Sequence, residues 1–364
     1  MRYSIFHFVP LRYSREELDV NKLSSTIGKT MQYASCGKAA LYHCLNSLGL
    51  KQGEMILIPN YVCDSILKPI KKLGLQYVFY DINTTDLNAN VIDIQNRIEN
   101  NPLIRAVLVA SMYGNPAELN RIEAICKENS VFLIDDGAQS FGSMINKRYV
   151  GSFGDAGFFS FSRAKATPGH LGAFFWTSNT DYKIKRTHHF LYHRLTYLSY
   201  YYNSYKLYKY YKYRFFVLLN YLTLVLYKLV DWWNDDICNF EKSILGGVLK
   251  ANSQQTFRME FASQLNAKFQ NNPLFSVITK GLPYTNNHKL VLLFNDLNDA
   301  IKCHHYLDSC GIYTSGGYHL LNREASTPIA KSIEGKVLEI PLENDKVKFD
   351  NLVQRLDFFV QANK

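Results

Sequence analysis

The sequence predicts an α/β fold with a mostly parallel sheet flanked by helices, followed by a smaller C-terminal α+β domain. Short apolar runs alternate with helical patterns from about residue 32 to residue 177. Strands separated by helices imply crossover connections and therefore parallel strand pairs. A similar alternation returns from about residue 264, and a chain of 364 residues has room for one large and one small domain.

The elements of the first part follow from their patterns. Buried strands are predicted at 55–58, 76–80, 106–110, 131–134, 157–161 and 172–177. Helices are predicted at 38–48, 65–73, 91–99 and 117–128. Gly49 and Gly74 are expected to end the first two helices, and Pro69 counts against the second because proline lacks a backbone N–H.

The last third predicts strands at 290–294 and 337–341 and amphipathic helices at 297–310 and 348–361. We therefore divide the chain into three parts. Residues 1–181 form the large domain with an N-terminal arm, residues 182–260 form an aromatic and basic helical segment, and residues 261–364 form the small domain.

Composition restricts the setting. The first residues lack the long apolar region of a secretion signal, and seven cysteines without a Cys-x-x-Cys pair indicate reduced thiols in the cytoplasm. The pairs His188-His189 and His304-His305 are adjacent, so neither pair can face one site from a regular element. No metal site is predicted.

Chemistry-bearing residues stand where two predicted strands end. The run 131–134 ends in Asp135-Asp136, and the next strand leads to Ser160 and Lys165. Parallel strands place their ligands at the carboxyl edge of the sheet, so these side chains are expected to converge. Lysine can form a Schiff base, aspartate can hold a pyridinium nitrogen and serine can bind phosphate, which together suit pyridoxal 5'-phosphate (PLP).

Each residue also has a structural alternative. An aspartate at a strand end often caps a helix, and an isolated lysine after a strand usually lies at the surface. The PLP interpretation therefore depends on the whole set of motifs, whose order and spacing are more specific than any single one.

That set resembles the DegT/DnrJ/StrS sugar aminotransferases, PLP-dependent enzymes of fold type I, over nearly the whole chain outside the aromatic segment. The motifs run in order as 36–41 (CGKAAL), 59–61 (PNY), 80–82 (YDI), 113–116 (YGNP), 136–139 (DGAQ), 151–155 (GSFGD), 160–165 (SFSRAK), 258–260 (RME) and 340–342 (IPL). By this resemblance Lys165 is the catalytic residue that carries PLP and moves the substrate proton. Asp136 pairs with the pyridine nitrogen, and Gln139 contacts the side of the ring that bears the hydroxyl group.

The resemblance also implies a phosphate site. Ser160 and the helix start at Lys38 and Ala39 would hold the phosphate, because exposed N–H groups at a helix N-terminus favour anions.

Four residues depart from the family pattern. Lys38 replaces a small hydroxyl residue, Cys63 replaces an aromatic ring that stacks on the cofactor, and Thr256 replaces an asparagine that reaches the partner's phosphate. Leu171 interrupts a glycine-rich stretch. These departures leave the substrate open.

The activity implied is transfer of an amino group from an amino acid, expected to be glutamate, to a keto-sugar. The sugar is expected to be nucleotide-linked and its product to enter surface-glycan biosynthesis. The resemblance further implies a homodimer. Some relatives carry histidine in place of the lysine and act as dehydratases, and Lys165 argues against that branch. The alternative is a catalytically weak member that serves as a membrane-associated scaffold, which Lys38, Cys63 and Thr256 motivate.

The aromatic and basic segment carries much of the net charge of +10. Residues 183–214 contain eight Lys or Arg, three His, ten Tyr and no acidic residue. Basic residues with Tyr and Trp suit an anionic membrane surface, which predicts peripheral binding through 182–233 at the inner face of the membrane. A helical hairpin packed on the core or on a dimer partner is the alternative. Nucleic acid is not expected because no binding module accompanies the segment.

Overall fold

The computed structural model describes residues 20–161, 165, 172–187, 256–287, 289–342 and 344–363, together with isolated positions between 190 and 234. The described helices are α1 (Val20–Ile27), α2 (Gly37–Ser47), α3 (Leu67–Lys72), α4 (Val91–Asn100), α5 (Leu119–Glu128), α6 (Thr256–Phe269), α7 (Leu297–Ser309), α8 (Pro328–Ile333) and α9 (Lys346–Ala362). The strands are β1 (Gln32–Ala34), β2 (Met55–Pro59), β3 (Gln76–Tyr80), β4 (Ile104–Ala110), β5 (Phe132–Asp136), β6 (Met144–Ile145), β7 (Arg148–Tyr149), β8 (Ala156–Ser160), β9 (Ala173–Thr177), β10 (Phe275–Val277), β11 (Leu290–Phe294), β12 (Ser315–Gly316) and β13 (Val337–Ile340).

The large domain is built on a seven-stranded sheet of order β3-β2-β4-β5-β8-β9-β1. The five strands from β3 to β8 are parallel to their neighbours, whereas β9 and β1 are antiparallel. The predicted mostly parallel sheet flanked by helices is therefore confirmed. Because β2, β4, β5 and β8 run in one direction, their carboxyl ends share one edge, where α/β folds bind ligands.

The predicted elements of this domain are present with boundaries shifted by at most a few residues. Gly49 and Gly74 follow their helices with positive φ angles of 69° and 66°, as expected of glycines that close a helix. The helix that contains Pro69 begins with a 3₁₀ turn at Asp64–Ile66 and continues as α3. Pro69 lies in the first turn of α3, where its missing N–H leaves no helical hydrogen bond unmade.

The small domain contains a four-stranded antiparallel sheet of order β10-β11-β13-β12. The predicted strands are β11 and β13, and the predicted helices are α7 and α9. The sequence patterns missed β10 and β12, which have only three and two residues. One face of this sheet packs on its own helices through Leu338 and Ile340. The other face packs on the large domain through Val291 and Val337.

Two buried polar residues of the large domain hold the small-domain segment 320–330 in place. Asn60 donates from Nδ2 to the Asn322 carbonyl and the Thr327 hydroxyl, at 2.8 and 2.7 Å, and accepts from the Asn322 N–H at 2.9 Å. Asp81 accepts from the backbone N–H groups of Ile329 and Ala330, both at 2.8 Å. These bonds fix the small domain over the carboxyl edge of the large sheet.

Asp81→Ala is expected to lower the free energy of unfolding by about 2 to 4 kcal/mol, because buried backbone donors lose their acceptor. Asp81 is 4% exposed, and Oδ1 also accepts from the Ile82 N–H at 2.9 Å. Urea denaturation measures the change. Asp308→Ala, at an exposed position on α7, should change the free energy by less than about 0.5 kcal/mol. Equal effects of the two substitutions would contradict the role given to Asp81.

The predicted aromatic and basic segment lies largely outside the described residues, and its division from the two domains stays a prediction. At its described end, Trp233 lies against α2. The Trp233 carbonyl oxygen is 2.7 Å from His43 Nε2, and the Trp233 ring centroid is 5.1 Å from that of Tyr42. Within the described part of the chain, the helices are too short or too polar to cross a bilayer.

Candidate active site

Asp136 is the last residue of β5 and lies at the carboxyl edge of the large sheet. It is 6% exposed, and Oδ1 accepts from the Ala138 N–H at 2.9 Å. Burial raises the pKa of Asp136 to about 6, and the nearby Lys165 ammonium acts in the opposite direction. The structure thus brings Asp136 and Lys165 into one site, as the sequence predicted they would converge.

Lys165 follows β8 by five residues and is partly buried. Burial lowers the pKa of the Lys165 ammonium, while the charge of Asp136 raises it. The lowered pKa increases the fraction of neutral amine, which is the form that attacks a carbonyl carbon. Cys63 also raises the pKa of Lys165 through a charge interaction. Cys63, which departs from the family pattern, therefore lies in the same site.

Ser160 ends β8 against the first turn of α2. Ser160 is 5% exposed, and a Cβ atom added to Gly37 would lie 3.0 Å from its Cβ and Oγ atoms. Lys38 is partly buried and Ala39 is fully buried in the same turn of α2. Cys36 precedes the helix without a side-chain capping bond. A hydroxyl beside a helix N-terminus is a suitable cradle for a phosphate group.

The spacing along the sheet separates Asp136, at one end of the site, from Ser160 at the other end. Asp136 pairs with Phe158 in the register of β5 and β8, and Ser160 lies two residues farther along β8. Two residues of a strand span about 6.6 Å. An acid at one end, a hydroxyl with helix N–H groups at the other, and a lysine nearby fit the pyridine nitrogen, the phosphate and the aldehyde of PLP.

Gln139 has a different set of contacts. It is 7% exposed, its Oε1 accepts from the Tyr113 N–H at 3.1 Å, and its Nε2 donates to the Tyr318 hydroxyl at 3.2 Å. The side chain therefore joins two tyrosines from different domains at the edge of the site. Its contact with the cofactor ring stays a prediction.

A cluster of three tyrosines is the part of the site that the sequence did not assign. The hydroxyls of Tyr61 and Tyr113 are 3.0 Å apart, and the Tyr318 N–H donates to the Tyr61 hydroxyl at 3.2 Å. Burial raises the pKa of all three phenols. They therefore remain protonated at neutral pH and present O–H donors. Tyr61 and Tyr113 follow β2 and β4, so their positions at strand ends were a usable signal.

Asp135 differs from its neighbour because successive strand residues point to opposite faces. Oδ2 accepts from the N–H groups of Gly151 and Phe153, at 2.6 and 3.1 Å. Oδ1 has no partner among the described residues. Burial raises the pKa of Asp135 to about 7, despite the two N–H donors that favour the carboxylate. Asp135 therefore supports the loop at 151–153.

The raised pKa of Asp135 predicts a pH-dependent stability. A carboxyl group whose folded pKa is about 7 binds its proton more tightly in the folded state than in the unfolded state. The free energy of unfolding therefore falls between about pH 4 and pH 7, where the unfolded chain has lost this proton and the folded chain still holds it. Asp135→Asn keeps an acceptor for both N–H groups and cannot ionise. We expect this variant to lose less stability than wild type between pH 5 and pH 8, as measured by urea denaturation. Parallel pH profiles for the two proteins would contradict the prediction.

The other predicted features lie partly outside the described residues. Thr256 is the first residue of α6 and is exposed, and its role at a partner's phosphate stays a prediction. Leu171 and the pair His188-His189 lie outside the described residues. Among the residues that the structure describes, no three His, Cys, Asp or Glu side chains are grouped to hold a metal ion.

The fold and the site together define a class of protein. The seven-stranded sheet with its small antiparallel domain is the type I fold of PLP-dependent transferases. It is similar to the aminotransferase TlmJ from Streptoalloteichus hindustanus, with a TM-score of 0.73 and 18% identity over 94% of this chain and 90% of that one. It is also similar to the E. coli GDP-4-keto-6-deoxy-D-mannose-3-dehydratase with bound hydrated PLP, with a TM-score of 0.68 and 16% identity over 92% of this chain and 90% of that one.

Sequence similarity links the chain to one family. Residues 27–204 match the DegT/DnrJ/EryC1/StrS aminotransferase family. The GDP-perosamine synthase of Escherichia coli O157:H7 is 33% identical over 134 residues, which are 36% of each chain. The aligned part covers only 36–41% of the length of such curated relatives.

Proposed function

We propose that the protein is a PLP-dependent aminotransferase that converts a nucleotide-linked keto-sugar to an amino sugar for surface-glycan biosynthesis. The observation that carries this proposal is the charge interaction between Lys165 and Asp136, at the carboxyl edge of the sheet where Ser160 lies against the first turn of α2. Members of the family are PLP-dependent. Relatives of this chain include a GDP-perosamine synthase, an enzyme whose name denotes a nucleotide-linked amino sugar.

Bound PLP would supply an aldehyde that accepts the amino group and a ring that withdraws electrons from the substrate carbon. Lys165 would attach the cofactor and, once released, carry a proton to or from that carbon at Nζ. Asp136 would keep the ring nitrogen protonated through its negative charge. Ser160 with the N–H groups of α2 would hold the phosphate and fix the orientation of the ring.

The two domains would enclose the substrate between them. Tyr318 and the segment bound by Asn60 and Asp81 cover the carboxyl edge of the large sheet. The hydroxyls of the tyrosine cluster would offer donors to a polar substrate, and the small-domain cover would limit the access of water.

The test uses the full chain purified with PLP. Glutamate should discharge the yellow colour of the bound cofactor, and a keto-sugar nucleotide should restore it while amino sugar forms. A protein that takes up no PLP would favour the scaffold alternative. A coloured protein that does not respond to glutamate or other amino acids would overturn the proposed reaction.

Assembly and location belong to the same proposal. We infer a homodimer in the cytoplasm from the similarity to this family. Contact of residues 182–233 with an anionic membrane stays a prediction from their charge and aromatic content.

A further inference from the structure

A buried ion pair lies on the face of the small sheet that is turned toward the large domain. Glu339 on β13 pairs in register with Val291 on β11 and with Ser315 on β12. Its neighbours Leu338 and Ile340 point into the core of the small domain, whereas Val291 and Val337 pack on the core of the large domain. Because side chains alternate along a strand, Glu339 points toward the large domain.

The pair leaves one carboxylate oxygen available. Lys289 Nζ donates to Glu339 Oε2, and the Ser315 hydroxyl donates to the same oxygen at 3.1 Å. The side chains of Lys289 and Glu339 are only 13% and 6% exposed. No donor among the described residues reaches Glu339 Oε1. A buried ion pair contributes little net stability, so its presence here calls for a functional explanation.

The pair lies next to the candidate active site. On the same face of β13, Val337 packs on Gly317, where an added Cβ atom would be 2.8 Å from the Val337 Cβ and 2.1 Å from the Tyr61 hydroxyl. Tyr61 in turn contacts Tyr113 and the Tyr318 backbone. The charge of Glu339 also raises the pKa of Lys165, and the charge of Lys289 lowers it.

We propose that Glu339 and Lys289 bind the acceptor sugar from the small-domain side of the candidate active site and select a sugar that bears a hydroxyl group. Glu339 Oε1 accepts from a sugar hydroxyl, and a remaining N–H of Lys289 donates to a neighbouring sugar oxygen. An acceptor and a donor side by side match a polyol, and an analogue without that hydroxyl leaves the buried carboxylate unpaired. This inference rests on the proposed function and adds to it the residues that recognise the acceptor.

The test separates the two half-reactions of the PLP-loaded protein. The donor half-reaction is the discharge of colour by glutamate alone. The acceptor half-reaction uses GDP-4-keto-6-deoxy-D-mannose together with UDP- and dTDP-linked keto-sugars. Glu339→Gln should reduce kcat/KM for the sugar by about 10- to 100-fold, mostly through KM, because a charged acceptor is lost. Its effect on the donor half-reaction should be at least about tenfold smaller.

Two further variants make the result decisive. Asp357→Asn removes an ion-paired carboxylate from α9, on the helical side of the same domain, and should change neither half-reaction. In Lys289→Met/Glu339→Met the buried pair is replaced by apolar side chains, which usually preserves folding. The double variant should bind PLP and lose the sugar preference.

The outcomes distinguish this inference from the proposed function. A wild-type protein that turns over, with an unchanged sugar kcat/KM in Glu339→Gln and in the double variant, would overturn the role of the pair and leave the proposed function intact. Equal losses for sugar and donor would show a general structural role and would also overturn it. A wild-type protein that does not react with glutamate overturns both proposals.

Discussion

Replacing Lys165 with alanine is expected to lower kcat/KM for amino transfer by at least about 10⁴-fold and to abolish the yellow colour of the purified protein. The amine is the only group in the proposed mechanism that both attaches the cofactor and moves the substrate proton. Its pKa is lowered by burial, so a neutral nucleophile is accessible near neutral pH. Absorbance spectroscopy after PLP addition, followed by the assay with glutamate and keto-sugar, measures both effects.

Two controls separate chemistry from folding. Lys165→Arg keeps the positive charge beside Asp136 but cannot supply a neutral amine, so it should be as inactive as the alanine variant. Lys280 is a matched lysine whose pKa is also lowered by burial, and it lies in a different cleft with Pro116 and Tyr284. Lys280→Ala should keep the colour and the activity. Full activity of Lys165→Ala would remove the basis of the proposed function.

Asp136→Asn is expected to lower kcat by about 10²- to 10³-fold while the protein still takes up PLP. The substitution removes the negative charge that would hold the ring nitrogen protonated, whereas Lys165 and the cradle at Ser160 remain. In the unloaded wild type, Asp136 has a pKa of about 6, so its charge is lost as the pH falls below about 6. PLP binding by wild type should therefore weaken in that range.

The asparagine variant isolates this effect. The cofactor phosphate also titrates near pH 6, but it does so in both proteins. The difference between the two pH profiles of PLP binding, measured by absorbance titration from pH 5 to pH 8, therefore reports Asp136 alone. Asp135→Asn is the matched control, since Asp135 bonds to Gly151 and Phe153 instead of facing the site. If the Asp135 variant loses more kcat than the Asp136 variant, the assignment of the two carboxylates is wrong.

The helices and strands of the large domain could be predicted because local patterns of apolar residues and glycines indicate them. A strand such as β3 or β4 shows as a short apolar run, and a helix end shows as glycine with positive φ at position 49 or 74. The short strands β10 and β12 were not predicted because two or three residues show no recognisable hydrophobic periodicity. Pro69 argues against a helix in the sequence pattern, but the preceding 3₁₀ turn places it in the first turn of α3.

The sequence alone determined which polar residues end the parallel strands. Since those ends share one edge in any such sheet, Asp136, Ser160 and Lys165 could be expected to meet before any coordinates were known. What covers these residues follows from the packing of the two domains. Asn60 and Asn322 are 262 residues apart, and Asp81 and Ala330 are 249 apart. The Lys289–Glu339 pair likewise depends on the packing of the small sheet against the large one. Contacts at such separations follow from how two domains pack, and no local periodicity of the chain encodes them.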